Sequence, residues 1–103
     1  MRQDRDLKML KANADEAADF VRLLSNNKRL LILYELMAYR EISGGPLADV
    51  VGISRSALSH HLAKFRAEGP VETRRESQTV FYRLSQDVRV RHTTFLLKQL
   101  FCR

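Results

Sequence analysis

The segment between Ser54 and Glu68 combines short hydroxyl side chains, an imidazole and cations, and it contains no acidic side chain before Glu68. With about 100° of rotation per residue, a helix over this segment places several of these side chains on one face: Ser56, Ser59, His60, Ala63 and Lys64. Arg55 projects from the start of that helix. Small side chains let a helix enter a major groove about 12 Å wide, where Arg and Ser meet base edges. We predict that this face reads DNA, and a merely solvated face is the alternative.

A second polar group follows Gly69-Pro70, where the pattern changes from helical to alternating. Residues 71–75 and 79–84 are rich in β-branched and aromatic side chains, and they predict two strands joined at 76–78. Three side chains of this hairpin are predicted to reach the DNA backbone or the minor groove: Arg74, Arg75 and Gln78. Adjacent arginines near a turn gain little from packing. A hairpin that only covers the core is the alternative, and it is favoured for Val80, Tyr82 and Leu84.

Two short helices joined by a glycine-containing turn precede this hairpin. The first is predicted to be capped by Ser43 or Gly44, to run through Val51 and to end at Gly52. Ser54 is predicted to cap the second, which runs over 55–67. Helices of this length with such a turn are typical of a helix-turn-helix.

Helices are also predicted on both sides of this unit. Apolar residues at spacings of three and four predict an amphipathic first helix: Leu7, Leu10, Ala14, Ala17, Val21 and Leu24. Asn13 and Asp15 are candidates for its start. Asn27 is predicted to cap a second helix over 28–39, with four side chains on one face: Leu30, Leu33, Tyr34 and Met37. Asp87 is predicted to cap a last helix over 88–101.

Residues 1–103 are therefore predicted to form one domain, mainly α with a small β-hairpin. The order α-α-α-α-β-β-α, five helices plus a wing, is that of a winged helix-turn-helix. A chain of 103 residues is near the size at which a single core is only marginally self-sufficient. The last helix is apolar on more than one side, so we expect it and the first helix to pack against a second copy. Such a homodimer would present two recognition helices to an inverted-repeat operator.

The net charge is +6, from 18 Lys and Arg against 12 Asp and Glu. Residues 1–51 carry equal numbers of basic and acidic side chains, so the whole surplus lies in 52–103. No run approaches the roughly 18 apolar residues of a membrane span. Residues 1–6 alternate charges and lack the apolar stretch of a signal peptide, which predicts a cytoplasmic protein. We predict double-stranded DNA as the partner, and no membrane.

Four stretches resemble the ArsR/SmtB family of bacterial repressors, and are most similar to the branch containing HlyU, NolR and BigR: Asn27–Leu30, Ile53–Arg66, Thr73–Arg75 and Gln78–Leu84. The resemblance implies a homodimeric winged-helix regulator, usually a repressor, with its first and last helices in the dimer interface. It implies base contacts from four residues: Arg55, Ser56, Ser59 and His60. It implies backbone or minor-groove contacts from five others: Arg29, His61, Arg74, Arg75 and Gln78.

Two positions of the recognition helix depart from many members of the family, which have glutamine in place of Arg55 and His60. Arginine favours guanine through paired hydrogen bonds to O6 and N7, whereas glutamine favours adenine. We therefore predict that Arg55 selects a G where its counterparts select an A.

Many members of the family sense metals, but the ligand sets are absent from this sequence. Residues 40–50 contain no cysteine, and the last helix offers only Asp87 and His92 where a tetrahedral site needs four donors. We expect no metal and no cofactor. Relatives also carry a cysteine pair that reads sulfur or redox state; Cys102 matches the terminal cysteine, whereas Tyr34 stands at the other position. An intramolecular disulfide cannot form, so Cys102 is predicted to be an apolar filler, with oxidation or an intermolecular link as alternatives.

Other function classes have less support. An enzyme is not predicted, because the serines and His60 lie on a convex helix face without an oxyanion pocket. A winged helix that only binds proteins is one alternative. A regulator that displaces another DNA-bound protein, as an anti-repressor or activator, is the other.

Overall fold

Five helices and three strands follow one another along residues 2–102, the part of the chain that the computed structural model describes. Their bounds are α1 Arg2–Leu24, α2 Asn27–Ala38, β1 Ile42–Ser43, α3 Gly44–Val51, α4 Arg55–Glu68, β2 Val71–Glu76, β3 Thr79–Leu84 and α5 Val88–Phe101. This order confirms the predicted winged-helix class, with β2 and β3 as the wing.

The start of α2 is fixed by the side chain of Asn26. Its Oδ1 accepts hydrogen bonds from the backbone N–H groups of Lys28 and Arg29, at 2.9 and 3.1 Å. Asn26 has the extended backbone that a capping residue needs (φ −160°, ψ 129°), whereas Asn27 is already helical. The prediction that Asn27 is the cap was therefore wrong by one residue.

The predicted caps of α4 and α5 are confirmed. Ser54 Oγ accepts from the N–H of Ala57 at 3.0 Å, and Asp87 Oδ1 accepts from the N–H of Arg89 at 3.0 Å. Each helix therefore begins where a side chain replaces a missing backbone acceptor.

The first helix begins at Arg2, ahead of both candidate starts at Asn13 and Asp15. Asn13 does not cap it, because its side-chain amide donates back to the carbonyl oxygen of Met9 at 3.0 Å, within the helix. The apolar spacing that begins at Leu7 was therefore a better guide to the helix than the polar residues inside it.

The wing is joined to the segment between α2 and α3. The three strands form one antiparallel sheet in the order β1-β3-β2. Ile42 of β1 pairs with Tyr82, and Ser43 pairs with Phe81. A strand of two residues is too short to show an alternating pattern, so the sequence did not predict it. Its pairing fixes the wing relative to α2 and α3.

The turn of the wing has two residues, Ser77 and Gln78. Glu76 pairs with Thr79, so it ends β2 and does not belong to the turn where the sequence placed it. Ser77 takes a left-handed backbone with φ 56°. Turns of two residues in hairpins favour this backbone because its twist matches that of the strands.

The core lies where α2, α3 and α4 meet the wing and α5. Its largest fully buried side chains are Phe65, Ile32, Leu33, Leu47, Leu58, Leu62, Val90 and Pro70. On α2 the sequence predicted Leu33, which is buried, and three residues that are half-buried: Leu30, Tyr34 and Met37. It missed Ile32 and Leu36, which are both buried. The buried face of α2 is therefore rotated from the predicted one.

Large apolar side chains are exposed along α1 and α5: Leu7, Met9, Leu10, Val21, Val88, Phe95, Leu96, Leu100 and Phe101. Phe101, for example, is 76% exposed. Apolar surface spread over two helices is typical of an interaction face. None of the helices in residues 2–102 is long and apolar enough to cross a membrane.

Candidate nucleic-acid interface

The turn between α3 and α4 is held by backbone hydrogen bonds. The N–H groups of Gly52 and Ile53 both donate to the carbonyl oxygen of Ala48, at 2.9 and 3.1 Å. Gly52 has φ 80°, a left-handed conformation that glycine takes at no steric cost. The backbone of the turn therefore fixes the direction in which α4 leaves α3.

The outer face of α4 carries the side chains that the sequence assigned to it. Leu58, Leu62 and Phe65 are buried on its inner side, which fixes the rotation of the helix. The exposed side presents Ser56, Ser59, His60, Ala63 and Lys64. The first turn of α4 contains no acidic residue. Ser56 lies in the first turn, at the positive end of the helix dipole, and Lys64 adds a positive charge further along the same face, so both favour an anion there.

Arg55 lies across the first turn of α3. Its guanidinium packs against Gly45, where an added Cβ would lie 3.1 Å from Cζ and 3.4 Å from Nε of Arg55. Any side chain at position 45 would therefore displace Arg55. Arg55 forms no ion pair within the described part of the chain. Its charge stands uncompensated beside the N-terminal turns of α3 and α4, where phosphates and base acceptors are favoured.

Arg29 and His61, both predicted to contact the DNA backbone, are bonded to each other. Arg29 Nε donates to His61 Nδ1 at 3.1 Å, and Arg29 Nη1 donates to the carbonyl oxygen of Leu23 at 3.1 Å. Through these two hydrogen bonds, Arg29 of α2 connects the end of α1 to the middle of α4. Burial, and then the charge of Arg29, lower the pKa of His61 below its ordinary value, so the neutral ring accepts at Nδ1. Contact of this pair with DNA stays a prediction.

Arg74 is already held by the fold. Its Nε and Nη2 donate to the two carboxylate oxygens of Glu41 at 2.9 and 2.8 Å, and its Nη1 donates to Glu76 at 2.7 Å. The guanidinium also lies 4.8 Å from the ring centre of Phe81. These hydrogen bonds lower the pKa of Glu41 and raise that of Arg74, so both groups stay charged at neutral pH. The sequence argument considered only packing, and it did not foresee the two carboxylates that pair with Arg74.

Arg75 and Gln78 are differently placed. Arg75 follows Arg74 in β2, and successive strand residues point to opposite faces, so Arg75 faces away from Glu41. Both Arg75 and Gln78 are exposed, and Arg75 has no carboxylate partner among residues 2–102. The end of the wing therefore offers one unpaired cation and one amide.

Sequence reasoning missed Glu41, which pairs with Arg74 of the wing. The two residues are 33 positions apart, and no periodic pattern connects them. The only local sign was a carboxylate close to the glycines that open α3.

The residues considered for metal or redox chemistry do not come together. Asp87 pairs with Arg89 at 2.7 Å, while His92 and Cys102 are exposed on or just after α5. Tyr34 is half-buried on α2. In the described ranges, no three or more His, Cys, Asp or Glu side chains are grouped so that they could hold a metal ion.

Comparison with known proteins gives the family. Residues 26–73 match the family described as "Bacterial regulatory protein, arsR family". HlyU of Vibrio cholerae, named a transcriptional activator, is 40% identical over 97 residues, which make up 94% of this chain and 88% of HlyU. The chain belongs to the arsR family. The structure of reduced HlyU matches this arsR-family fold with a TM-score of 0.84 over 93% of this chain and 99% of HlyU.

Two further arsR-family relatives support the assignment. The nodulation protein NolR of Rhizobium meliloti is 49% identical over 75 residues, 73% of this chain but only 61% of NolR. The structure of the transcriptional repressor BigR from Xylella fastidiosa is 32% identical, with a TM-score of 0.81 over 100% of this chain and 98% of BigR. As a member of the arsR family, the protein is a transcriptional regulator and not an enzyme.

The Arg29–His61 contact predicts acid-sensitive stability. Because folding lowers the pKa of His61 from its ordinary 6.5, the unfolded chain binds a proton first as the pH falls. The contribution of His61 to the free energy of unfolding is complete above about pH 6.5 and is lost as the pH falls through the folded pKa. Urea denaturation at a series of pH values between about 8 and 5 measures this loss.

Two variants isolate the contribution of His61. His61→Gln keeps an acceptor for Arg29 but does not titrate, so most of the decrease in stability is expected to disappear. His60→Gln changes the exposed neighbour and is expected to keep the decrease. Equal pH profiles for the original protein and His61→Gln would contradict this account.

Proposed function

We propose that this protein binds an inverted repeat in double-stranded DNA as a homodimer and thereby regulates transcription in the cytoplasm. One observation carries the proposal: the acid-free outer face of α4, which is exposed because the opposite face is buried. DNA binding is implied by membership of the arsR family. Residues 52–84, which include α4 and the wing, carry six basic against three acidic side chains, so half of the surplus positive charge lies at the proposed interface.

The second copy is proposed to cover the apolar faces of α1 and α5. Five side chains on these helices are each more than half exposed: Leu7, Leu10, Phe95, Leu96 and Leu100. Burying a large apolar side chain contributes about 1.5–3 kcal/mol, which matters for a chain with a small core. A copy related by two-fold symmetry would bury both faces and place a second α4 along the same side of the duplex.

Individual side chains receive separate roles. Base edges are proposed to be contacted by Arg55, Ser56, Ser59 and His60. Phosphates or the minor groove are proposed to be contacted by Arg29, His61, Lys64, Arg75 and Gln78. For Arg74 we propose a positioning role in place of the predicted DNA contact, because Glu41 and Glu76 already neutralise its charge.

Repression is the proposed outcome, because a dimer seated on an operator excludes other proteins by occupancy alone. HlyU is named an activator and BigR a repressor, so displacement of another DNA-bound protein is the second candidate. A reporter behind the bound promoter separates the two. Deletion of the gene for this protein raises expression in the first case and lowers it in the second.

Selection from a random duplex pool tests the DNA-binding proposal as a whole. We expect the bound sequences to share an inverted repeat, with affinity at least about 10³-fold above that for scrambled duplex. Affinity is expected to fall steeply with salt, because contacted phosphates release their counterions. A winged helix that only binds proteins would enrich no sequence, and that result would overturn the proposal.

Arg55→Gln tests the base readout. Arginine bonds to O6 and N7 of guanine, and glutamine bonds to N6 and N7 of adenine. The preferred base at one position of each half-site is therefore expected to change from G to A, with a discrimination of about 1–3 kcal/mol. Titrations with an operator series carrying each base at that position measure the change. Arg66→Gln, an exposed arginine in the last turn of α4, is the matched control; an unchanged preference in Arg55→Gln would refute the role.

The two wing arginines are predicted to differ in their salt dependence. Arg75→Ala removes an unpaired cation, so the slope of log affinity against log salt should fall by about 0.9 for each bound copy. Arg74→Ala removes a charge that two carboxylates already neutralise, so its slope should change less. Fluorescence anisotropy at several salt concentrations gives both slopes. The proposed roles fail if Arg75→Ala keeps the original slope or if Arg74→Ala loses more than Arg75→Ala.

A further inference from the structure

A cavity of about 750 Å³ lies between the end of α2, the base of the wing and the start of α5. Its size falls within the range of about 300–1,000 Å³ that small-molecule sites occupy. Leu36 and Leu84 are buried in its wall, and Met37 is half-buried there. The remaining wall is mainly polar and comes from all three elements. A molecule in this cavity would therefore touch α2, the wing and α5 together.

The carboxylates that line the cavity are already paired. Glu72 accepts a hydrogen bond from Arg83 Nε at 2.7 Å. Glu41 is bound through both of its oxygens to Arg74, which lies outside the lining. The lining therefore carries three arginines against two carboxylates, and one of these carboxylates is bound to an arginine outside it.

Two arginines of the lining, Arg40 and Arg91, have N–H groups that donate to no acceptor among residues 2–102. The side chain of Arg40 makes no hydrogen bond or ion pair within residues 2–102. Arg91 donates from Nε to the carbonyl oxygen of Ser85 at 3.0 Å, which orients the guanidinium and leaves its two terminal nitrogens unpaired. The cavity therefore combines an apolar wall with two guanidinium groups that have terminal N–H groups available for a ligand, and the charge of Arg40 also acts on Glu41.

We propose that this cavity binds a small carboxylate with an apolar body. A guanidinium matches a carboxylate through two parallel hydrogen bonds, which makes Arg40 and Arg91 the groups that hold the acid. The apolar body lies on Leu36, Met37 and Leu84. A neutral molecule of the same shape forms no ion pair with Arg40 or Arg91 and binds more weakly.

The bound acid connects the wing to the rest of the domain. Arg83 belongs to β3, and Glu41, which holds Arg74 of β2, faces the same cavity. Occupancy is therefore expected to change the position of the wing and with it the affinity for DNA. This consequence rests on the proposed function, whereas binding of the acid does not.

Titration calorimetry on the full chain tests the binding with two acids, phenylacetate and octanoate. At least one of them is expected to bind saturably, one molecule per chain, with a Kd of about 1 mM or below. Phenylacetamide, the neutral counterpart, is expected to bind at least about tenfold more weakly. Saturable binding of neither acid up to about 10 mM, or equal binding of acid and amide, would overturn the proposal.

Three variants locate the site. Arg40→Gln and Arg91→Gln are each expected to weaken binding at least about tenfold, whereas Arg66→Gln, outside the cavity, should bind as the original does. The side chain of Arg40 makes no hydrogen bond or ion pair in the described fold, so Arg40→Gln keeps the test decisive even where Arg91→Gln fails to fold. Unchanged affinity in Arg40→Gln would remove the assignment. None of these titrations contains DNA, so their outcome is separate from that of the proposed DNA binding.

Discussion

Burial of the apolar stripe on α4 is the constraint on which the rest of the structure depends. Leu58, Leu62 and Phe65 are 2%, 2% and 0% exposed. Burying three such side chains contributes several kcal/mol, at about 1.5–3 kcal/mol each, which is comparable with the whole stability of a small domain. Because α4 cannot turn about its axis without losing this burial, its polar face must point outward. The left-handed backbones of Gly52 and Gly69 fix where the helix leaves the turn and where it ends.

The arginines fall into two groups with different physical roles. Arginines of the first group form ion pairs with carboxylates of the protein, as Arg74 does with Glu41 and Arg83 with Glu72. Exposed ion pairs of this kind add little to the free energy of unfolding, so the role we propose for them is to position the wing. The second group has no acidic partner in the described part of the chain, and Arg55 represents it. The unpaired group, more than the total charge, determines where an anion can bind.

Much of the fold could be predicted because the determining interactions are local. Ser54 and Gly69 mark both ends of α4, since a cap and a left-handed residue act within one helical turn. The same reasoning failed to choose Asn26 over its identical neighbour, because the backbone conformation decides between them. The outer face of α4 also followed from helical periodicity. The partners of Arg74 and His61 could not be predicted, because they lie 33 and 32 residues away in the sequence. An arginine in a sequence also gives no sign of whether it pairs with a carboxylate of the protein or with a phosphate.

The proposed homodimer would place two α4 helices on the same side of the duplex. Affinity for inverted repeats with varied half-site separation tests this claim most directly. We expect the tightest binding when the half-site centres are about one helical turn, 10 base pairs, apart. Insertion of about half a turn should reduce the affinity to that of a single half-site, because the second helix then faces the wrong side. Affinity that is independent of the separation would contradict the account.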